Sequence, residues 1–565
     1  MLRIALIPSL LVLHAPALGQ QIEIAQDSEF AAFDGAVWTA GIPDPDVSEQ
    51  LSSRPVPLSS DISDIAFSSL QTPDEAQLVN EGPENFRIGA IGVVGAEAMN
   101  IEIFSSVVED FIGHEASTEE LTSLTQQIAN IAREEGYILA SAYIPEQSVQ
   151  MGVLEIKLIE GTIDAVQIIG SDNRHLRKIL SSLEGKVAHR PQIERQLLLA
   201  SDIPDIVVVS SDFRQENGQN ILQVTVRERG DSFRIEGDNY GSHSYGPARA
   251  RLSGDLRGKI HDSDVLGTAI RANPVEPKEI LSVSAYYETA LGTDGIRAGI
   301  AGSVGENAPG GTAASSNITG ESRYLGLFAS YPLVRSTSGS LWIETQAAYL
   351  SIDNDAMNVL IRQDTEVTVS VGVRSEISFA GGKLRAGASI VHGFDIFGAT
   401  RLGDPMASRR DGDGVFTKGE YWADFRTGLA KDINIYLAAR GQIASEPLLA
   451  TQELSIGGAY RVRGYDFSEL SGDDGFYAMA ELQYNLKSRL AWLKSIQLYG
   501  FGDIGYVNDL GNNSSEGTLI SAGPGIRGTV GPLDFEFETA LPVNRDRKHS
   551  GNKKPHINVK VGINF

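Results

Sequence analysis

Along residues 497–506 polar and apolar side chains alternate. Gln497, Tyr499, Phe501, Asp503 and Gly505 share one face of an extended strand, and Leu498, Ile504 and Tyr506 share the other. A period of two with one polar and one apolar face suits a strand between a watery interior and lipid, so Asp503 is expected to point inward. The same texture runs from residue 231 to the last residue, in segments of about ten separated by Gly, Asn, Asp and Ser turns. Ile557, Val559, Val561, Ile563 and Phe565, for example, alternate with Asn558, Lys560, Gly562 and Asn564. Strand starts are expected from Asp231 and Ala248 through Asp432, Gly475 and Lys494 to Gly531 and Pro555. That gives about 16 antiparallel strands, an even number as in a closed bacterial membrane barrel. A soluble sandwich also alternates, but it turns its apolar face inward. The final aromatic residue, Phe565, is expected to serve as a C-terminal barrel signal.

Upstream the period changes. Apolar spacing predicts a strand at 88–94, a helix at 101–112, and a second helix opened by Ser117 and Glu120 at capping-box spacing and stopped by Gly136. Strands at 137–144 and 153–159 follow. The order then repeats, with a strand at 162–169, helices at 173–183 and 191–200, and strands at 206–213 and 221–227. Two small α/β modules in tandem are expected, over 86–160 and 161–229, ahead of a barrel over 231–565. Residues 20–85, punctuated by Pro43, Pro45, Pro55, Pro57, Pro73 and Pro83, read as a linker. Within it, 29–40 has spacing compatible with a short helix and carries Phe30, Phe33 and Trp38.

Composition narrows the function classes. A chain of 565 residues exceeds one compact core. With 47 basic and 73 acidic residues its net charge is −26, which argues against nucleic acid as a partner. It has no cysteine, so disulfides, thiolate metal sites and a cysteine nucleophile are excluded. Arg3, the apolar run 4–13 and Ala17-Leu18-Gly19 read as a secretory signal over 1–19, followed by no apolar run long enough for a transmembrane helix. The histidines show no HExxH or paired-ligand spacing, and no GxxxxGK[ST] phosphate loop occurs. Asp411-Gly412-Asp413-Gly414 opens like a calcium loop, but Val415 and Trp422 occupy the fifth and twelfth positions, where ligands are required. No nucleophile, base and orienting group assemble, so neither an enzyme nor a cofactor or metal is expected.

Residues 446–475 are rich in turns and hold Gly457, Gly458 and the run Val462-Arg463-Gly464-Tyr465. This segment joins the eleventh and twelfth expected strands, and Asp503 lies on the thirteenth. If it folds back into the lumen, the Arg463 guanidinium meets the Asp503 carboxylate as a bidentate, charge-assisted pair. Desolvation offsets the attraction in such a pair, so its expected use is to fix the loop in one position, as a latch. Glu481 and Arg440 also face the lumen and read as ordinary wall charges.

Several motifs stand in a fixed order: Pro145-Glu146-Gln147, Asp238-Asn239-Tyr240-Gly241, Gly457-Gly458 running into Val462-Arg463-Gly464-Tyr465, and Phe501, Asp503, Gly505. In these, from about residue 86 to 565, the chain resembles the outer-membrane transporters of two-partner secretion, of the filamentous-haemagglutinin and haemolysin secretion type. The resemblance implies a membrane β-barrel preceded by two polypeptide-transport-associated (POTRA) domains in the periplasm. These would capture an unfolded secreted exoprotein, which the barrel passes to the surface, with activation of a haemolysin or adhesin as a further expectation. It also implies an Arg463–Asp503 contact in the lumen, a plug helix whose counterpart would be 29–40, outer-membrane lipid around the barrel, and barrel-assembly machinery as a partner during biogenesis. Two other readings stand beside it: a barrel-assembly factor of the same superfamily, which usually carries more POTRA domains, and a passive porin, which needs none.

Overall fold

The computed structural model describes residues 86–565 except 148–151, 244, 311–313, 315–316, 488–489, 491 and 512–515, together with two short strands upstream. Those strands, Phe30–Ala31 and Val37–Trp38, pair antiparallel, so these four positions are extended where helical spacing had been read. The signal segment and the rest of 20–85 lie outside the described residues. The chain divides between Arg229 and Gly230 into two compact units, one α/β and one a barrel.

In the α/β unit the first module is a three-stranded sheet with Val153–Ile159 in the centre, parallel to Ala90–Val94 and antiparallel to Ser141–Tyr143. Val153–Ile159 alternates strictly, and its Leu154, Ile156 and Leu158 pack on Leu124, Ile128 and Ala132 of the helix Thr118–Glu134. That helix opens on a full capping box, in which the Ser117 hydroxyl accepts from the Glu120 amide and the Glu120 carboxylate accepts from the Ser117 amide. The expected strand at 137–144 shortens to 141–143. Ahead of it, Tyr137 bonds back to Ala132, and the Ile138 amide donates instead to the Ala188 carbonyl of the second module. The second module repeats the plan, with Gln219–Glu228 between the parallel Ala165–Ile169 and the antiparallel Ile206–Glu216. Its helices are Arg174–Ser181 and Arg190–Ser201.

The second unit is a closed barrel of sixteen antiparallel strands, from Ser232–Asp238 to His556–Asn564. Leu325, Leu327, Ile390 and Leu482 stand exposed on its outer face, the apolar belt that a lipid-embedded barrel requires. Turns at the end where the first strand begins are short, such as 336–338 and 380–381, while the opposite end carries the long segments 394–416, 445–473 and 543–555. Short periplasmic turns and longer extracellular loops are the usual arrangement of outer-membrane barrels. Strands Gly339–Ala356 and Val359–Phe379, of 18 and 21 residues, exceed the roughly ten a bilayer needs and project beyond it on the long-loop side.

Candidate functional site

The segment between the eleventh strand (Ile433–Ala444) and the twelfth (Asp474–Leu486) folds into the barrel lumen. Its neck is a short hairpin, Leu454–Ile456 paired with Leu470–Gly472. Beyond it Gly457 and Gly458, with φ of 111° and 96°, turn the chain in a region closed to most side chains. The tetrapeptide 462–465 follows, and each of its residues meets a different part of the wall.

Val462 is fully buried, and a Cβ added at Gly505 of the thirteenth strand (Leu493–Asn508) would stand 3.0 Å from its Cγ2. Gly505 is therefore the space into which Val462 fits. Arg463 donates from Nη2 to Asp503 Oδ1 at 2.6 Å and from Nε to Oδ2 at 3.0 Å, and its own amide donates to Oδ2 at 3.0 Å. Its guanidinium carbon lies 3.6 Å from the centre of the Phe501 ring, a cation–π contact. A Cβ at Gly464 would fall 2.8 Å from Ser521 Cβ and 2.9 Å from the backbone at Leu541, so only glycine lets the loop approach this wall. Tyr465, fully buried, donates from its hydroxyl to Asn544 Oδ1 at 2.8 Å and accepts from the Arg545 amide at 3.2 Å. The three strand positions Phe501, Asp503 and Gly505 thus supply the face for the cation, the charge and the space.

The cluster is wider than that pair. Arg463 Nη1 reaches Glu481 Oε1 at 2.7 Å and Glu538 Oε2 at 3.4 Å, and Ser521 donates to Asp503 Oδ2 at 2.9 Å. Glu481 also accepts from Arg527 Nη2 at 2.9 Å, and Glu538 from Asn558 and Tyr499 at 2.9 and 3.0 Å. Glu481 is therefore a direct partner of the loop arginine, where sequence reasoning read a wall charge. Period two alone placed it on the lumen face. Its connection to Arg463 needed the strand register, which sets Glu481 opposite Phe501 and Ser521 opposite Asp503. Counting outward from Asp503 by register would have found both.

The remaining motifs have structural contacts of their own. In the first α/β module the Gln147 side chain donates to the Glu155 carbonyl at 2.6 Å and accepts from the Glu155 amide at 2.7 Å, replacing a missing strand partner. Asp238 holds Arg249 with bonds of 2.8 and 3.0 Å. Asn239 donates to the Ile557 carbonyl and accepts from the Val559 amide, both at 2.7 Å, and so extends the pairing of the first strand with the last. The Tyr240 ring meets Tyr460 of the lumen loop edge to face. Phe565 exchanges backbone bonds with Phe233 across the same seam. In the calcium-like run, the Asp413 carboxylate accepts from Arg401 and from the Val415 amide of its own turn.

The family model described as haemolysin secretion/activation protein ShlB/FhaC/HecB matches residues 218–528, more than half of the chain. The chain belongs to this haemolysin secretion/activation family. A ShlB-type POTRA domain model also matches residues 86–161. Among curated relatives, the outer membrane transporter CdiB of Escherichia coli is 24% identical over 495 residues, covering 83% of this chain and 81% of its own. The heme/hemopexin transporter protein HuxB of Haemophilus influenzae is 20% identical over 416 residues, covering 70% and 72%. The solved structure of CdiB from Escherichia coli matches the fold with a TM-score of 0.76 at 20% identity, over 98% of this chain and all of the other. Like other members of the haemolysin secretion/activation family, this chain is an outer-membrane transporter of two-partner secretion that exports an exoprotein through its barrel. Family members are transporters rather than enzymes.

Proposed function

We propose that the lumen loop is the latch of this transporter and that Arg463, held by Asp503, Glu481 and Glu538, keeps the loop inside the barrel between export events. The observation that carries the reading is the burial of Arg463 among three carboxylates on three different wall strands, with Gly464 and Gly505 shaped to its neighbours. A buried ionic cluster of this kind specifies a position at little net gain in stability, which suits a loop that must stay put and also leave. The α/β modules act upstream. Exposed edges of their sheets, such as Ala90–Val94 and Ala165–Ile169, pair with an extended segment of the exoprotein by strand addition, where main-chain bonds demand little of the cargo sequence. Folding of the exported chain outside the cell draws it through.

The test is secretion of a co-expressed candidate exoprotein by Arg463→Ala, Asp503→Ala and the double variant, with heat-modifiable gel mobility reporting barrel folding. Removing Arg463 strips three carboxylates of a shared cation, whereas removing Asp503 leaves Arg463 two partners. Arg463→Ala is therefore the more damaging single change, costing about 3–5 kcal/mol, and the double variant is no worse than it. Folded single variants whose secretion and planar-bilayer conductance both match the native protein would exclude the latch. Depletion of other outer-membrane barrels on gene removal, with secretion intact, would transfer the protein to the assembly-factor class.

A further inference from the structure

The loop between the ninth strand (Gly382–Gly393) and the tenth (Thr417–Ala430) exposes Phe397 and Leu402 but does not extend freely along its length. It folds back over the barrel mouth, tied to the eighth strand by Thr400 N to Thr365 O at 2.8 Å and Ser408 N to Asp364 Oδ1 at 2.9 Å. From there Arg409 reaches both arms of the lumen-loop neck at once. It donates to Glu453, on the entering arm, and to both oxygens of Asp473, after the returning arm, at 2.7 and 3.3 Å. Asp473 is fully buried and also accepts from the Leu448 and Leu510 amides at 2.7 and 2.8 Å. Two further bonds reinforce the grip: Ala450 N donates to the Ser408 side-chain Oγ at 3.1 Å, and Asp413 N to Pro447 O at 3.3 Å.

Two separate charged clusters therefore hold one loop, Arg463 at its tip and Arg409 at its neck. Releasing the tip alone does not free the loop, because its neck stays bonded to Ser408, Arg409 and Asp413. We propose that Arg409 is a positioning residue for the lumen loop and that its bridge to Glu453 and Asp473 is a second lock at the extracellular mouth, which must part during export. This rests on the reading that the lumen loop leaves its resting place. The lock lies largely buried at the long-loop end of the barrel.

The native chain has no cysteine, so an engineered pair forms a single defined crosslink. Ser408→Cys with Ala450→Cys joins the mouth loop to the neck, and Val462→Cys with Gly505→Cys joins the tip to the wall. Exoprotein secretion is measured with each pair oxidised and then reduced, with crosslinking confirmed by mass spectrometry. The oxidised mouth pair is expected to suppress secretion at least about tenfold, given the bias a disulfide imposes, with recovery on reduction. Recovery shows that the variant folded. An oxidised mouth pair that secretes at the reduced rate overturns the second lock. If the oxidised tip pair is blocked in that case, the latch itself stands; if both oxidised pairs secrete, the latch fails too. A blocked mouth pair beside a secreting tip pair keeps the neck lock and removes the Arg463 latch. Arg409→Ala should raise conductance in planar bilayers, and Arg409→Lys, which keeps the charge but not the fork, should lie between it and the native protein.

Discussion

At the residue scale the motif residues act as matched pairs: Val462 with Gly505, Arg463 with Phe501 and Asp503, Gly464 with the backbone near Leu541, and Tyr465 with Asn544. A methyl at Gly505 lands on Val462 and Ile456 at 3.0 and 3.1 Å, so Gly505→Ala overpacks the site by about 1–3 kcal/mol. The temperature at which the folded gel band is lost should fall, and adding Val462→Ala should recover only part of the loss, since Ile456 still meets the added methyl. Phe501→Leu keeps bulk but removes the aromatic face under the guanidinium. It should weaken loop docking by about 1–2 kcal/mol, seen as increased reactivity of a thiol introduced at Ala459. The Arg463–Asp503 pair was legible because period two places Asp503 on the lumen face and the glycine-rich run marks a loop long enough to reach it. Glu481, Glu538, Ser521 and Asn558 were not, because each sits on a different strand and only the register of four neighbouring strand pairs brings them together.

Strands and helices were more readable than side-chain partners, since one face of each is buried and a shift of one residue would turn every side chain over. The starts expected at Ala248, Gly475 and Lys494 lie within a residue of the strands Arg249–Arg257, Asp474–Leu486 and Leu493–Asn508. The miss at 137–140 has a tertiary cause: Tyr137 and Ile138 bond to the second module, a partner that apolar spacing in this short run does not reveal. Side chains also complete elements that the backbone leaves short. Gln147→Ala leaves the exposed Glu155 amide and carbonyl to water, at a cost of about 0.5–1.5 kcal/mol, and should speed hydrogen exchange at Glu155 while leaving the barrel unchanged. The pairing of first strand with last spans five positions, against thirteen between the twelfth and thirteenth strands. Asn239 lengthens that short seam, so Asn239→Ala should lower the barrel's melting temperature more than an alanine substitution at a solvent-exposed asparagine elsewhere.

The whole molecule joins a sixteen-strand barrel, a loop gripped at tip and neck, and two α/β modules that each end in an edge strand. A passive porin has no use for the modules, and the family assignment places the barrel among protein transporters. The central claim is that exoprotein passes through the lumen that the loop occupies at rest. The most direct measurement arrests a candidate exoprotein in transit by fusing a tightly folded domain to its C-terminus, with a photo-crosslinking residue in place of Gln346 on the lumen face or of lipid-facing Leu327. The account predicts a crosslink to the arrested chain from position 346 and none from 327. Crosslinks from 327 alone, or from neither position while secretion of the unfused exoprotein continues, would contradict it.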